Sequence, residues 1–167
     1  ARRAQHLPRL AVEVVQRECQ RLQVLLDDFL SYAKVRPANL VPSDLNAQIE
    51  STLRFFEPEA CEAKIEIIRY LDSDLPSVLL DREQFHGALL NLLINAKQAM
   101  EGGGELVVRT ASTGGTVALY LIDNGCGMDD RTASHMFEAF FSTKPGGSGL
   151  GLPTTARIIG AHGGPIS

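Results

Sequence analysis

Asp123-Asn124-Gly125-Cys126-Gly127-Met128 opens the stretch that decides the reading of this chain, and Lys144-Pro145-Gly146-Gly147-Ser148-Gly149-Leu150-Gly151-Leu152 closes it. The segment between the two glycine clusters has almost no regular hydrophobic period, the pattern of a mobile lid rather than of a packed element. The second cluster runs into Pro153 and an apolar stretch with helical spacing. Gly147, Gly149 and Gly151 are thereby placed at a helix N-terminus, where unpaired backbone N–H groups and the helix dipole favour a phosphate. Asp123 ends an alternating apolar run, so a strand delivers its carboxylate into a pocket. A carboxylate repels phosphates but accepts a hydrogen bond from the amino group of a purine. By themselves, Gly125 and Gly127 signal only a tight turn after a strand.

A third element upstream changes that weighing. Asn91-Leu92-Leu93-Ile94-Asn95-Ala96 lies in a strongly helical segment, and its two asparagines, four apart, share one helix face. Amides on an apolar helix cost desolvation unless something binds them. Together the three elements resemble the N, G1 and G2 boxes of the ATP-binding domain of two-component sensor histidine kinases. Met136-Phe137-Glu138-Ala139-Phe140-Phe141 resembles the F box between them. All four follow the family's order.

The resemblance implies an α+β fold: a two-layer α/β sandwich, a mixed sheet covered by helices (the Bergerat ATP-binding fold of the GHKL superfamily), preceded by one long bundle helix. It implies ATP and Mg²⁺ as cofactors. The matching positions for ATP are Asn91, Asn95, Gln98, Asp123, Gly125, Gly127, Thr143, Lys144, Gly147, Ser148, Gly149, Leu150, Gly151 and Leu152. Asn95 is the expected metal ligand, because Mg²⁺ takes oxygen donors and only one or two of them from protein. In related ATPases of the chaperone, mismatch-repair and gyrase type, the position of Asn91 commonly holds a water-activating glutamate. An amide has no proton affinity near neutral pH, so Asn91 favours phosphoryl transfer to another nucleophile over hydrolysis. Many family members carry a lysine three residues after the second asparagine. Here Gln98 stands there, with Lys97 just before it, and with Ala99-Met100 this resembles the nitrogen-regulation subclass. Lys97 reads equally well as a phosphate contact or a surface residue. Lys144 is expected on the β- or γ-phosphate, with Thr143 and Ser148 donating hydroxyl hydrogen bonds. Phe137, Phe140 and Phe141 read as lid anchors that pack when nucleotide is bound, and Cys126 as a small neutral filler.

The remaining sequence is compatible with this reading. The chain has 167 residues, 44% hydrophobic and 22% charged, with a net charge of −4, enough for one compact α/β domain and a little more. The acidic balance gives no support for nucleic-acid binding, and no apolar run approaches the roughly 18 residues of a membrane span. Three unpatterned cysteines fit a reducing, cytoplasmic setting, and leave open a membrane anchor in a longer protein. Residues 1–36 read as one helix with a wide apolar stripe through Val15, Cys19, Leu22, Leu25, Leu26, Phe29, Tyr32 and Ala33, suited to a helical bundle. Residues 37–43 read as linker, and 44–167 as the ATP-binding domain. Within it, Ser43 or Asp44 caps a helix that bends or ends before Pro58. Lys64 to Tyr70 and Ser77 to Leu80 are strands. Asp81 and Gln84 form a capping box for the asparagine helix, which ends near Met100. Glu105 to Ala111 and Thr116 to Asp123 form a hairpin, and Pro153 to Ala161 is a helix stopped by His162-Gly163-Gly164.

By resemblance, residues 1–36 are the second helix of a dimerisation hairpin whose first helix, bearing the phosphorylated histidine, lies ahead of Ala1, and the last strand continues beyond Ser167. His6 lacks the acidic neighbour and proline spacing of the acceptor and reads as a solvated residue; His86, His135 and His162 have no partners at metal-ligand spacing. The implied reaction is ATP-dependent phosphorylation of a histidine in a homodimer, followed by relay to an aspartate of a response-regulator receiver domain. Two other readings of the motifs are an ATP-driven clamp of the same fold and a nucleotide-binding module without kinase activity.

Overall fold

The computed structural model describes residues 6–33, 36–144 and 147–167. The elements are α1 (His6–Ala33), β1 (Val41–Ser43), α2 (Leu45–Glu62), β2 (Ile65–Tyr70), β3 (Val78–Leu80), α3 (Arg82–Ala99), β4 (Gly104–Thr113), β5 (Thr116–Asp123), α4 (Asp130–His135) and α5 (Gly151–Ala161). β2, β4 and β5 form a mixed sheet in that order, β2 parallel to β4 and β4 antiparallel to β5. β1 and β3 form a separate antiparallel pair. α2 and α3 cover one face of the sheet, and α5 packs on α3. This is a two-layer α+β arrangement preceded by one long helix.

Strand alternation selects the covered face. Leu106, Val108 and Thr110 of β4 are buried while Glu105 and Arg109, at alternate positions, are exposed, as a period of two requires. Ile49, Leu53 and Phe56 of α2 and Leu89 and Leu93 of α3 fill the layer above, each 1% exposed or less. Each such side chain contributes about 1.5–3 kcal/mol of apolar burial. Thr110 is the one buried polar residue in this row of β4, and it is satisfied: its hydroxyl donates to Asn46 Oδ1 (3.0 Å) and accepts from Asp72 N–H (2.9 Å). β4 and β5 turn through Gly114 (φ 60°) and Gly115 (φ 81°), the two left-handed residues of a tight hairpin turn.

Four local expectations are corrected. Helix α2 does not stop before Pro58 but runs through it to Glu62. Pro58 and Arg54, whose carbonyl loses its donor, both lie on the exposed side, where solvent can replace the lost bond, while Phe56 and Ala60 are buried and hold the last turn. Val41–Ser43, inside the span read as linker, is a strand paired with Val78–Leu80. The lid contains a short helix, α4, capped by Asp129, whose carboxylate accepts from Thr132 N–H at 2.7 Å. Thr132 also holds the Asp129 carboxyl below its ordinary value.

The fourth correction concerns Asp81. It caps α3 by accepting from Gln84 N–H (3.1 Å), but the reciprocal half of the box is absent. Gln84 Nε2 turns to Arg36 O and to Asp81 Oδ2, and Asp81 N–H donates instead to His162 Nε2 (2.9 Å). His162 Nδ1 lies 2.7 Å from Ile158 O, so the neutral ring with its proton on Nδ1 satisfies both partners. The buried Asp81 carboxylate also accepts from Asn39 N–H (2.9 Å) and pairs with Arg36 (2.8 Å). Burial works to raise this carboxyl, but the N–H groups of Asn39 and Gln84, with the Arg36 guanidinium, hold it below its ordinary value. Arg36 in turn is raised, chiefly by its hydrogen bond to Glu83 and then by Asp81.

α1 meets the rest of the chain at α5. Arg157 donates to Tyr32 O (2.6 Å) and its guanidinium lies 4.9 Å from the Tyr32 ring centre, a cation–π contact. Val12, Val15, Leu22, Leu26, Phe29 and Leu30 along α1 remain exposed. The side chain of His6, read from sequence as solvated, and residues 1–5 and 34–35, within the span read as the first helix, lie outside the described residues.

Candidate functional site

The site is organised by one face of α3. Asn91, Asn95 and Gln98 recur at helical spacing along it. α5 crosses this face with its first turn beside Asn91: the Asn91 amide reaches Gly151 O at 3.5 Å, and a Cβ at Gly151 would lie 3.9 Å from Asn91 Oδ1. The buried Thr155 fixes the crossing by donating to Gly151 O (3.0 Å) and reaching Ala88 O (3.5 Å). Thr154 closes on Leu150 O at 2.6 Å. Neither threonine was singled out from sequence, since a buried hydroxyl in a helix looks the same as an exposed one until its neighbour is known. Leu150, 2% exposed, caps α5 without a side-chain hydrogen bond. The N–H groups of Gly151 and Leu152 in the first turn have no intrahelical acceptor.

The turn after β5 is pinned to the other end of α3. Cys126 N–H donates to Ala99 O at 3.0 Å, and a Cβ on Gly125 would come within 2.7 Å of Ala99 O. Only glycine permits that approach, so Gly125 is required by packing as well as by the turn. Asp123 is exposed and accepts from Gly125 N–H at 3.0 Å through Oδ1. Its other oxygen takes no hydrogen bond among the described residues. Asn124, not selected from sequence, ties this turn to β4 by accepting from Glu105 N–H (2.9 Å). Gly127 takes a left-handed conformation (φ 69°).

The lid closes back on itself around Gly149. Phe140 N–H donates to Gly149 O (3.0 Å), and a Cβ on Gly149 would stand 2.5 Å from the Phe140 carbonyl carbon. Phe140 is itself left-handed (φ 68°) and 67% exposed; Phe137 and Phe141 are half-buried. Ser148 Oγ accepts from Leu150 N–H (3.3 Å), so its hydroxyl serves its own loop. Gly147 N–H donates to Lys144 O (3.1 Å). Thr143 is exposed and makes no hydrogen bond among the described residues. Pro145 and Gly146, within the second glycine cluster, lie outside them.

Lys144 occupies a place the sequence did not foretell. Its ammonium donates to Asn95 Oδ1 (3.1 Å) and Gln98 Oε1 (2.6 Å). Burial pushes the ammonium below its ordinary value, and the neighbouring Cys126 acts in the opposite direction. The Asn95 amide is oriented by its own donation from Nδ2 to Asn91 O (3.0 Å), which leaves Oδ1 as the outward atom. That oxygen already faces a positive charge, and its chemistry suits Mg²⁺, a hard ion that prefers oxygen. Of the two readings of Lys97, the pairing with Glu59 on α2 fits the surface one. Positive charge on this face comes from the lid, through Lys144, and not from the helix.

The asparagine helix, the pinned glycine turn and the nucleating turn of α5 thus meet along α3. Residues 80–167 match the family described as histidine kinase-, DNA gyrase B-, and HSP90-like ATPase. The chain belongs to that family. Among members of this ATPase family and their relatives, it is 35% identical over 156 residues to the signal transduction histidine-protein kinase AtoS of Escherichia coli K12, covering 93% of this chain and 26% of AtoS. It is 31% identical over 165 residues to the sensory histidine kinase/phosphatase NtrB of Rhizobium meliloti strain 1021, covering 89% of this chain and 43% of NtrB. The chain therefore spans between a quarter and a half of the length of these relatives. Among solved structures it is similar to full-length ShkA in complex with AMPPNP, with a TM-score of 0.78 and 29% identity, covering 93% of this chain and 34% of ShkA.

Proposed function

We propose that this ATPase-family chain is the nucleotide-binding part of a two-component sensor histidine kinase, which transfers the γ-phosphate of ATP to a histidine outside this sequence for relay to a response-regulator aspartate. The observation that carries the reading is the α3 face itself: two oriented amides and a lysine beside a helix start with free N–H groups. In the proposed complex Asp123 accepts from the adenine amino group through its uncommitted oxygen. The triphosphate lies at Gly149, Gly151 and Leu152, where backbone N–H groups and the α5 dipole favour it, with Gly147 beside it in the lid. Asn95 Oδ1 holds Mg²⁺, which would neutralise charge on the phosphates. Thr143 and Ser148 are within the same lid and can turn toward the phosphates when it closes.

Asn91 favours kinase over clamp. Its amide is directed at Gly151 O and cannot take a proton from water, so the γ-phosphate is kept for another nucleophile. The exposed apolar stripe of α1 supports dimerisation through a helical bundle. No helix among the described residues is long and apolar enough to cross a membrane, and a cytoplasmic setting is part of the proposal. The test is to supply Mg²⁺ and γ-labelled ATP to this chain together with a separate fragment bearing a dimerisation hairpin with its histidine. Acid-labile label on that fragment is expected, with none on His6. ATP turnover to free phosphate without labelling would favour the clamp, and no nucleotide binding at all would refute both.

A further inference from the structure

We propose that Lys144 is an exchangeable internal counter-ion, its ammonium standing at Asn95 Oδ1 and Gln98 Oε1 where a nucleotide-bound divalent ion would sit, and yielding that place when metal and nucleotide arrive. The inference rests on the reading of Asn95 as the ion's ligand. Asn95 offers both cations the same neutral oxygen. Its Nδ2 is committed to Asn91 O, and its single outward oxygen holds Lys144 Nζ at 3.1 Å. An Mg²⁺–oxygen bond of about 2.0–2.1 Å at the same atom would set two positive centres roughly 4–5 Å apart with only a neutral oxygen between them, a repulsion that favours one cation over the other.

The way Lys144 is held suits exchange. Both its acceptors are neutral amide oxygens, and among the described residues it forms no ion pair, unlike Lys97 with Glu59. An ammonium on neutral oxygens gives up less on leaving than one on a carboxylate. Its backbone is anchored where it stands: Lys144 N–H donates to Ser142 Oγ (3.2 Å), and Lys144 O accepts from Gly147 N–H (3.1 Å). The flexible four-carbon stem can therefore swing from Asn95 toward phosphates at Gly149–Gly151 without the lid's base moving. Gln98 supplies the second acceptor, giving that position a purpose a lysine could not serve, since a second ammonium would repel Lys144.

The consequence is antagonism between the lysine and the metal. When the metal is absent Lys144 neutralises part of the phosphate charge, and when it is present the two compete for Asn95. Titration calorimetry of AMPPNP into the full 167-residue chain and into Lys144→Met, each with Mg²⁺ and with EDTA, closes a thermodynamic cycle. The ratio of Kd in EDTA to Kd in Mg²⁺ should be at least about fivefold larger in the variant than in the parent. Lys144→Gln should give the same direction, so poor folding of one variant leaves the other as the test. An equal or smaller ratio in the variants overturns the proposal, because a lysine acting independently of the metal weakens both affinities alike. Asn95→Ala separates the two failures. If it leaves the parent's ratio unchanged, the ligand assignment itself is wrong. If it collapses the ratio while Lys144→Met leaves it unchanged, only the exchange is refuted.

Discussion

Asp81→Ala should destabilise the domain by about 2–3 kcal/mol, although the residue lies outside the nucleotide site. The carboxylate is 4% exposed and accepts from two backbone N–H groups, the Gln84 side-chain amide and one guanidinium. Loss of the α3 cap alone costs about 0.5–2 kcal/mol. The Asn39 N–H adds less than a fully buried donor would, because its bond to Asp81 is only part-buried and Asn39 is exposed. Asp81→Asn keeps an oxygen for Gln84 N–H but loses the charge facing Arg36, and should cost about 1 kcal/mol. Protonation does what that second substitution does. The folded carboxyl lies below its ordinary value, so its contribution is complete above an unfolded value of about 3.9 and is lost as pH falls through the folded value. Urea unfolding followed by circular dichroism, at pH 7 and at steps down to about pH 2.5, measures the gap between parent and Asp81→Asn. The gap should be full at pH 7 and close toward the acid end. A gap of constant size across the series would refute the assignment of Asp81 as a charged cap.

Asp123→Asn should weaken AMPPNP binding by about 10–100-fold, the loss of a hydrogen bond to a charged acceptor, with little change in unfolding midpoint because the side chain is exposed; unchanged affinity in calorimetry would remove Asp123 from the site. Gly125→Ala places a methyl 2.7 Å from Ala99 O and should cost about 1–3 kcal/mol together with nucleotide affinity, and a variant of parental stability would show that the turn has room to relax. Leu93→Ala, in a side chain with no exposure between the asparagines, should cost about 2–5 kcal/mol, read from the same urea transitions. Lys97→Met should leave nucleotide affinity within about twofold, since Lys97 faces Glu59 across α2 and a surface pair is worth roughly 0–1 kcal/mol; a larger loss would return Lys97 to the site.

Local chemistry in the sequence determined the order of elements apart from β1 and α4, the helix carrying Asn91 and Asn95, the hairpin through Gly114-Gly115 and the glycine turns at either end of the lid. Those signals are carried by residues within a few positions of one another: periodicity, caps and glycines that tolerate positive φ. Only the tertiary structure decided what depends on partners far along the chain. Pro58 remains inside α2 because Ala60 beyond it is buried. Lys97 is drawn to Glu59 and Lys144 to Asn95 and Gln98, contacts 38, 49 and 46 residues apart in sequence. Asp81 gathers Arg36, Asn39 and His162 for the same reason. A charged side chain in the sequence reveals its reach but not its partner, because the partner is chosen by which surfaces the packed helices bring within about 3 Å of it.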